Sequence, residues 1–532
     1  MEDETAYSEL DKRWQSVCKI LFAEEIGELS DFENWLKEGI DPLIQKKSHL
    51  TGKDVIFYVS EYGEGAKFAA FEEVWDKRSE EPIDINKIKD IDSLIESVQE
   101  RICFTGNVVL GNFGFVEKSS NINDSFYVLD SGFIGDSKRV AYSSIVKYSE
   151  DVFGCNAVAE CKQIIKCTNA SRKIMRSFEL WKCEKCSDSF YSHNLNNCQD
   201  CIFCFNQMSK RYSIGNLALS KDKYYQLKSK LLGEMAEQLK KDKRLPSLVD
   251  IAVDSKKRAK SPVAKISDFA EQTCNPVPLE QAFGSTTKII LGKKLEEMND
   301  YVPWLMQHVK RIDESKSVVS GKQLLVFDFY NFARLPKDNL VKEQEAEELG
   351  RLLSLSEGDL DGVSFKKIPD VLGKVVYFSP EIVVGNNENV CECQTFDSSN
   401  SLRVATVVYS KYCAYSNWAR SSEHIFGSCV AHESSFCLKC YYSINLSRCF
   451  EVDSSRNCSD CYYCHNCENC HNAILCFNTK NLNYAVGNVV VGRERFFEIK
   501  KILLNHINKE LENKKMVPLS VFNLGEFKKS GE

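Results

Sequence analysis

The chain has 532 residues, a net charge of −7 and a pI near 5.8. This length allows several domains with apolar cores, and the acidic balance argues against a dedicated nucleic-acid binder, which needs a basic face. No run of about 18 apolar residues occurs and the acidic start does not resemble a secretory signal, so we expect no membrane span and a cytoplasmic protein with reduced thiols. The 24 cysteines, most of them within 103–204 and 391–476, are the feature to explain.

The first hundred residues predict a helical and hairpin head. Residues 5–40 have the apolar spacing of helices, and the apolar runs 55–59 and 68–71, separated by a glycine turn, predict a hairpin. Residues 80–100 are charged and predicted to be helical. From residue 104 onward short apolar runs alternate with turn residues, which is typical of strands.

Two later stretches repeat with a period of twelve residues. Residues 458–478 read CSDCYYCHNCENCHNAILCFN, and residues 186–206 read CSDSFYSHNLNNCQDCIFCFN. A short fixed period indicates one structural unit laid on the next. Twelve residues per circuit suit a narrow β-solenoid with coils about 4.8 Å apart, whose bore admits only small side chains. We expect Asn and Asp at the tight turns, and the aromatic pairs, such as Tyr462-Tyr463, in the strands between turns.

The whole chain is a tandem duplication. Trp35 corresponds to Trp304 at a shift of 269, Phe104 to Phe378 at 274, and from Phe178 onward the shift settles at 272. The predicted fold class is therefore α+β, mainly β, with two tandem modules, each a Cys/Ser-lined β-solenoid of 12-residue coils with a helical/hairpin head and a C-terminal capping helix. The predicted boundaries are head 1–103, solenoid 104–216, capping helix 217–243, linker 244–285, head 286–375, solenoid 376–488, and capping helix with tail 489–532.

The cysteines allow three interpretations. Eight Cys-x-x-Cys pairs occur, and thiolates at this spacing fit zinc. The metal candidates are Cys183, Cys186, Cys198, Cys201, Cys458, Cys461, Cys464, Cys467 and Cys470. The two copies differ at several of these positions, because Cys461 corresponds to Ser189 and Cys467 to Leu195, and a zinc ligand does not tolerate such exchanges. This comparison favours a buried thiol ladder over zinc or disulfides, with no cofactor expected and zinc as the alternative. The ladder cysteines shared by both copies are Cys186, Cys198, Cys204, Cys458, Cys470 and Cys476.

The motifs together resemble a family of cysteine-rich repeat proteins that is frequent in genomes of very small bacteria. Its members carry Leu-Thr-Gly-Lys before a strand, here 50–53, then Asn-Cys-x-x-Cys arrays, then Cys-x-x-Cys-Phe-x-Asn, here 201–206. They close with Tyr-x-Ile/Val-x-Asn and a helix that opens with Ser-Lys-x-x-Tyr, here 220–224. Many relatives place a zinc-binding head before Leu-Thr-Gly-Lys, where this chain has Ser48 and His49. The resemblance implies no activity.

No catalytic motif occurs in the sequence. Gly52-Lys53 lacks the upstream glycine of a phosphate loop, and neither His-Glu-x-x-His nor Gly-x-Ser-x-Gly is present. His193 and His465 share one position of the repeat, and we interpret it as a packing position for a ring. We therefore predict a non-enzymatic scaffold that presents its surfaces to protein partners or to itself, and we expect neither nucleic acid nor a membrane as a partner. The alternative is a zinc-dependent nucleic-acid-binding protein, although neither 186–206 nor 458–478 contains a Lys or Arg.

Overall fold

The structure is a computed structural model of the full chain. It is a mixed α+β fold, mostly β, with long parallel sheets in two β-rich regions, which confirms the predicted class at that level. The residues that it describes are 5–75, 83–84, 87–169, 172–255, 274–310, 312–327 and 334–526. Within them, no helix has the length and apolar content that a membrane span requires. The basic run 256–260 lies outside the described residues.

The chain forms two compact units, each assembled from three separate segments. Unit 1 consists of Met1–Leu43, Gly111–Ala270 and Ile312–Ile382, and unit 2 of Ile44–Leu110, Glu271–Arg311 and Val383–Glu532. The hairpin region of each copy therefore belongs to the unit that contains the other copy's strands. Boundaries predicted along the sequence do not reveal this exchange, because it depends on contacts between distant segments.

Helices frame the strands in both units. Their bounds are Ala6–Phe22, Glu33–Lys37, Phe71–Val74, Ile91–Val98, Lys221–Asp242, Leu248–Asp254, Val277–Leu291, Val302–Leu305, Glu343–Leu352, Glu357–Leu360, Ile368–Leu372 and Arg493–Lys514. The two 22-residue helices confirm the predicted helices after each strand region. Ser220 begins the first of them by accepting a hydrogen bond from the Lys223 amide, an ordinary N-cap. Two helices lie partly or wholly inside 244–285, which the sequence predicted to be a linker.

The hairpin of the first head is formed by a different pair of strands from the one predicted. Ile44–Lys47 pairs antiparallel with Asp54–Phe57, so the Leu-Thr-Gly-Lys segment forms the turn, with Gly52 at φ +73°. Phe68–Ala70, the predicted hairpin partner, instead pairs in parallel with Phe104–Gly106. The second head repeats the antiparallel hairpin with Ile312–Lys316 and Gln323–Phe327. The prediction put the hairpin turn after the strand Asp54–Phe57 instead of before it, because the runs on both sides of this strand have strand propensity.

The strands of unit 1 form what we call the first stack. Residues pair in parallel with residues twelve positions later, as Lys138 does with Glu150 and Glu150 with Lys162. One extra residue enters before Met175, which pairs with Lys162. The strands are Gly114–Glu117, Ser120–Asn123, Phe126–Leu129, Gly132–Gly135, Lys138–Ala141, Ser144–Lys147, Glu150–Phe153, Asn156–Ala159, Lys162–Ile165, Met175–Trp181, Phe190–Asn196, Gln199–Ile202, Phe205–Met208, Arg211–Ile214 and Leu217–Ala218.

The second stack, in unit 2, has the same register. Cys413 pairs with Ile425, Ile425 with Cys437 and Cys437 with Cys449. The strands are Val383–Val384, Glu388–Cys391, Thr395–Phe396, Ser399–Val408, Lys411–Arg420, Glu423–Phe426, Cys429–His432, Ser435–Leu438, Tyr441–Asp453, Arg456–Glu468, His471–Ile474, Phe477–Lys480, Asn483–Val486 and Val489–Val490. Its core takes Ile425 and Leu446 as well as cysteine and alanine, so it accommodates larger side chains than the sequence suggested.

Left-handed backbone recurs at every third residue along most of both stacks. All such positions from Phe115 to Arg172, and again from Asn457 to Gly487, have positive φ. Twelve residues thus contain four corners, which explains cysteines at intervals of three. Asp460 and Asn466 occupy corners, as predicted, because short polar side chains tolerate this conformation. Tyr462 and Tyr463 both lie in the strand Arg456–Glu468, as predicted, and Tyr463, at φ 52°, is in addition a corner residue.

Candidate functional site

The predicted cysteine columns lie inside the stacks and are used for backbone hydrogen bonding. The Cys464 thiol is fully buried and donates to the carbonyl oxygens of Tyr462, at 3.4 Å, and Ala473, at 3.6 Å. At the same position of the first stack, the Ser192 hydroxyl donates to Phe190 O at 2.9 Å and accepts from the Cys204 amide at 3.0 Å. Both groups donate to the carbonyl two residues before them, which is the physical reason that the two copies exchange Ser and Cys.

The other predicted cysteines repeat this arrangement. Each thiol donates to the carbonyl two residues before it in the chain, as Cys198 does to Asn196 and Cys470 to Glu468. All of them are buried: Cys183, Cys186, Cys198, Cys201 and Cys204 in the first stack, and Cys458, Cys461, Cys464, Cys467, Cys470 and Cys476 in the second. No three or more His, Cys, Asp or Glu side chains in the described segments are grouped so as to hold a metal ion. Burial raises the pKa of Cys413 to about 12 and that of Cys476 well above its ordinary value, whereas the hydrogen bonds with Cys186 and with Cys458 lower the pKa of Cys198 and of Cys470 to about 4.

One disulfide lies outside the predicted columns. Cys274 is bonded to Cys391, with their Cα atoms 6.1 Å apart, and the other 22 cysteines are free. The neighbouring Asn275 and Asn389 exchange two hydrogen bonds of 2.8 and 3.0 Å. The disulfide therefore fixes the segment before the Val277–Leu291 helix to the beginning of the second stack.

A thiol used in this way should be replaceable by serine. We expect Cys464→Ser to change the free energy of unfolding by about 1 kcal/mol or less, because Ser192 fills the same position. Cys464→Leu should cost about 1–3 kcal/mol, because Cys464 is stacked in the core with Val452 and Cys476, which are both smaller than leucine. Urea unfolding of the full chain compares the two. Equal loss in both variants would show that the thiol has a role that a hydroxyl cannot supply.

His193 and His465, the paired histidines, accept hydrogen bonds from main-chain amides of the exchanged head segments. His193 Nε2 accepts from the Ser379 amide at 3.2 Å, and His465 Nε2 accepts from the Thr105 amide at 2.9 Å. The rings also pack on Phe378 and Phe104, with centroids 4.9 and 5.2 Å apart. The ring-packing prediction is thus supplemented by a role that the sequence did not indicate.

Asparagines one coil further on complete each head junction. Asn206 Nδ2 donates to Tyr377 O at 3.0 Å in unit 1, and Asn478 Nδ2 donates to Cys103 O at 2.8 Å in unit 2. Each exchanged strand is therefore bound through its main chain by the same His and Asn pair. The junction recognises backbone rather than a ligand.

Each unit also buries a lysine and a glutamate at matching positions. In unit 1, Lys166 Nζ donates to the carbonyl oxygens of Trp35, at 2.7 Å, and Glu38, at 2.8 Å. Glu179 Oε1 accepts from the Leu248 amide at 2.9 Å and from Trp181 Nε1 at 3.1 Å. Burial lowers the pKa of Lys166 and raises the pKa of Glu179 to about 7.

In the equivalent pair of unit 2, the lysine and the glutamate contact each other directly. Lys439 Nζ lies 3.6 Å from Glu451 Oε1 and donates to Trp304 O at 2.9 Å and Gln307 Oε1 at 3.3 Å. The Glu451 carboxylate also accepts from the Val521 amide and from the Tyr441 hydroxyl. Burial again raises the carboxyl pKa to about 7.

No family model, curated protein or solved structure matches this chain.

Sequence reasoning missed the two Lys/Glu pairs although a signal was present. Lys166 and Lys439 are related by the shift of 273, and Glu179 and Glu451 by 272. A charged residue retained by both copies inside an apolar repeat is unusual, because burying an unpaired charge is costly. A search of the two copies for shared charged residues, instead of shared cysteines, identifies both Lys/Glu pairs.

These buried carboxyls predict a pH dependence of stability. The pKa of Glu451 is about 7 in the folded protein against an ordinary 4.5, so the folded state binds its proton more tightly than the unfolded state. The resulting stabilisation is complete below 4.5 and is lost as the pH rises through about 7. We expect Glu451→Gln, which stays neutral, to lose less stability than the parent across that window. Parallel urea midpoints for the two proteins at every pH would contradict the assignment.

Proposed function

We propose that this chain is a non-catalytic scaffold built from two narrow β-solenoids of 12-residue coils, each closed by its following helix. The twelve-residue register and the four corners per repeat support the solenoid assignment. The closing role of the helices is supported by Tyr224, which is fully buried with its ring 5.7 Å from that of Tyr212, and by Phe496, 5.8 Å from Tyr484. Because the interior thiols and hydroxyls bond to backbone, the outer faces are left to carry the function.

The observation that carries the proposal is an open polar groove along the second stack, with a volume of about 750 Å³. Its lining repeats every twelve residues, as in the row Asp397, Tyr409, Ser421 and Glu433. Four carboxylates, Glu388, Asp397, Glu423 and Glu433, line it together with one ammonium group, that of Lys411. Lys411 pairs with Glu423 at 3.0 Å, and the excess of carboxylates that remains suits an extended, basic segment of a partner protein.

Charge reversal in the groove provides the test. The tagged full chain, purified from native cells with and without nuclease, should recover a defined protein partner. Recovery should be lost with Glu433→Lys and kept with Glu160→Lys, which places the same change at the equivalent position of the first stack. Nuclease should have no effect.

The alternative, a zinc-dependent nucleic-acid-binding protein, gives the opposite results in the same experiment. Salt-sensitive recovery of RNA or DNA would overturn the scaffold. So would stoichiometric zinc in the purified protein whose removal unfolds it. The carboxylates of the groove favour the scaffold, because phosphate backbones bind clustered Lys and Arg. Membership of the cysteine-rich repeat family is likewise proposed on the motifs alone.

A further inference from the structure

Unit 1 contains a cavity at its buried Lys/Glu pair. The cavity has a volume of about 420 Å³, within the size range of small-molecule sites. Lys166 and Glu179 line it, with exposed fractions of only 6% and 2%. Thr168, Trp181 and Val249 supply further wall, and Arg244, paired with Glu38 at 2.7 Å, lies toward solvent.

Both charged groups keep hydrogen-bonding capacity that the described residues do not use. An ammonium group has three donors, and Lys166 Nζ donates to two carbonyl oxygens. Glu179 accepts both of its hydrogen bonds on Oε1, and Oε2 makes none among the described residues. The two side chains form no ion pair with one another, unlike their counterparts in unit 2. A buried ammonium and a buried carboxylate thus face one cavity, each half satisfied.

In unit 2, side chains of the protein itself complete the hydrogen bonding of the equivalent Lys/Glu pair. Tyr441 stands at the position of Thr168, is fully buried, and directs its hydroxyl to Glu451 at 3.4 Å. Gln307, at the position of Glu38, provides Lys439 with a side-chain acceptor. The same framework can therefore satisfy its Lys/Glu pair internally, and unit 1 differs at the two residues that do so.

We propose that the cavity of unit 1 binds a small zwitterion of the α-amino-acid class. The carboxylate of the ligand accepts from Lys166 Nζ, its ammonium donates to Glu179 Oε2, and its side chain packs against Trp181 and Val249. A ligand with both charges completes both half-satisfied groups, whereas a ligand with one charge leaves the other group buried and unpaired, which is costly. A scaffold with such a site binds a small molecule in the cavity of unit 1 and its protein partner in the groove of the second stack.

Calorimetric titration of the full chain tests the proposal. The probes are glycine, L-serine, L-leucine and L-phenylalanine, each compared with the carboxylate that lacks the amine and the amine that lacks the carboxylate. At least one amino acid should bind, and its two halves should bind at least tenfold more weakly. No binding by any of the amino acids, or a half that binds as tightly as the whole, would overturn the proposal.

Three variants locate the site. Lys166→Met should abolish binding, and Lys439→Met, the same change at the filled position of unit 2, should leave the affinity unchanged. Thr168→Tyr should abolish binding while the chain stays folded, because unit 2 accommodates tyrosine at that position. Its unfolding midpoint, measured alongside, shows whether the fold is kept. If Thr168→Tyr is folded and still binds, or if Lys439→Met weakens binding as much as Lys166→Met, the assigned cavity is wrong.

Discussion

Replacing His465 by alanine should lower the free energy of unfolding by about 3–5 kcal/mol. His465 Nε2 accepts from the Thr105 amide, so the proton of the neutral ring is on Nδ1, which donates to Asp453 at 2.7 Å. Both His465 and Asp453 are fully buried. Removing the ring leaves an amide without its acceptor and takes from a buried carboxylate one of its hydrogen-bond donors, while the hydroxyls of Tyr62, at 3.1 Å, and Ser454, at 3.2 Å, still donate to it.

His193→Ala is the matched control for that prediction. His193 Nε2 accepts from Ser379, but Nδ1 has no partner among the described residues, and Trp181 stands where unit 2 has Asp453. The expected cost is about 1–3 kcal/mol, because one buried amide loses its acceptor and no carboxylate is affected. Amide hydrogen exchange should quicken at Thr105 in the first variant and at Ser379 in the second. Equal destabilisation by both would show that the Asp453 contact contributes nothing.

Gly350→Ala should detach the second head from the first stack, at a cost of about 3 kcal/mol or more. Gly350 lies in the helix Glu343–Leu352, and a Cβ there would overlap the carbonyl group of Asn206. Backbone cannot move aside as a flexible side chain can. The shift would also break the 2.6 Å hydrogen bond from Gln207 Nε2 to Gly350 O. Limited proteolysis should show earlier cleavage within 312–382.

Gly358→Ala controls for the loss of glycine itself. Its Cβ would meet only Ser356 Oγ, at 3.9 Å, and it lies in the short helix Glu357–Leu360. Alanine has the higher helix propensity, so we expect no destabilisation and a gain of up to about 1 kcal/mol. If Gly350→Ala behaves like Gly358→Ala, then the helix does not rest on Asn206 as closely as the structure shows.

The sequence by itself determined the twelve-residue repeat and the residue types at its interior positions. A period of twelve predicted which residues stack, and the structure pairs Lys138 with Glu150 and Cys413 with Ile425 at that spacing. The Ser and Cys exchanges between copies fall at positions where a hydroxyl and a thiol both donate to the carbonyl two residues before them. Such features are local: each coil contacts mainly the next, so the pattern in the chain is the pattern in space.

The tertiary structure alone decided how the segments are exchanged and which charges specify that exchange. Tyr62 meets Asp453 in unit 2, and Lys182 pairs with Glu343 in unit 1. At the equivalent positions of the other stack stand Trp181 and Ser454, so a head docked on its own copy would lose the Tyr62–Asp453 hydrogen bond and the Lys182–Glu343 ion pair. The main-chain contacts of the His and Asn junctions are the same in both units and cannot discriminate. The local sequence pattern cannot reveal this choice. The two possible dockings of a head use nearly identical surfaces, and the residues that distinguish them lie hundreds of residues from their partners in the sequence.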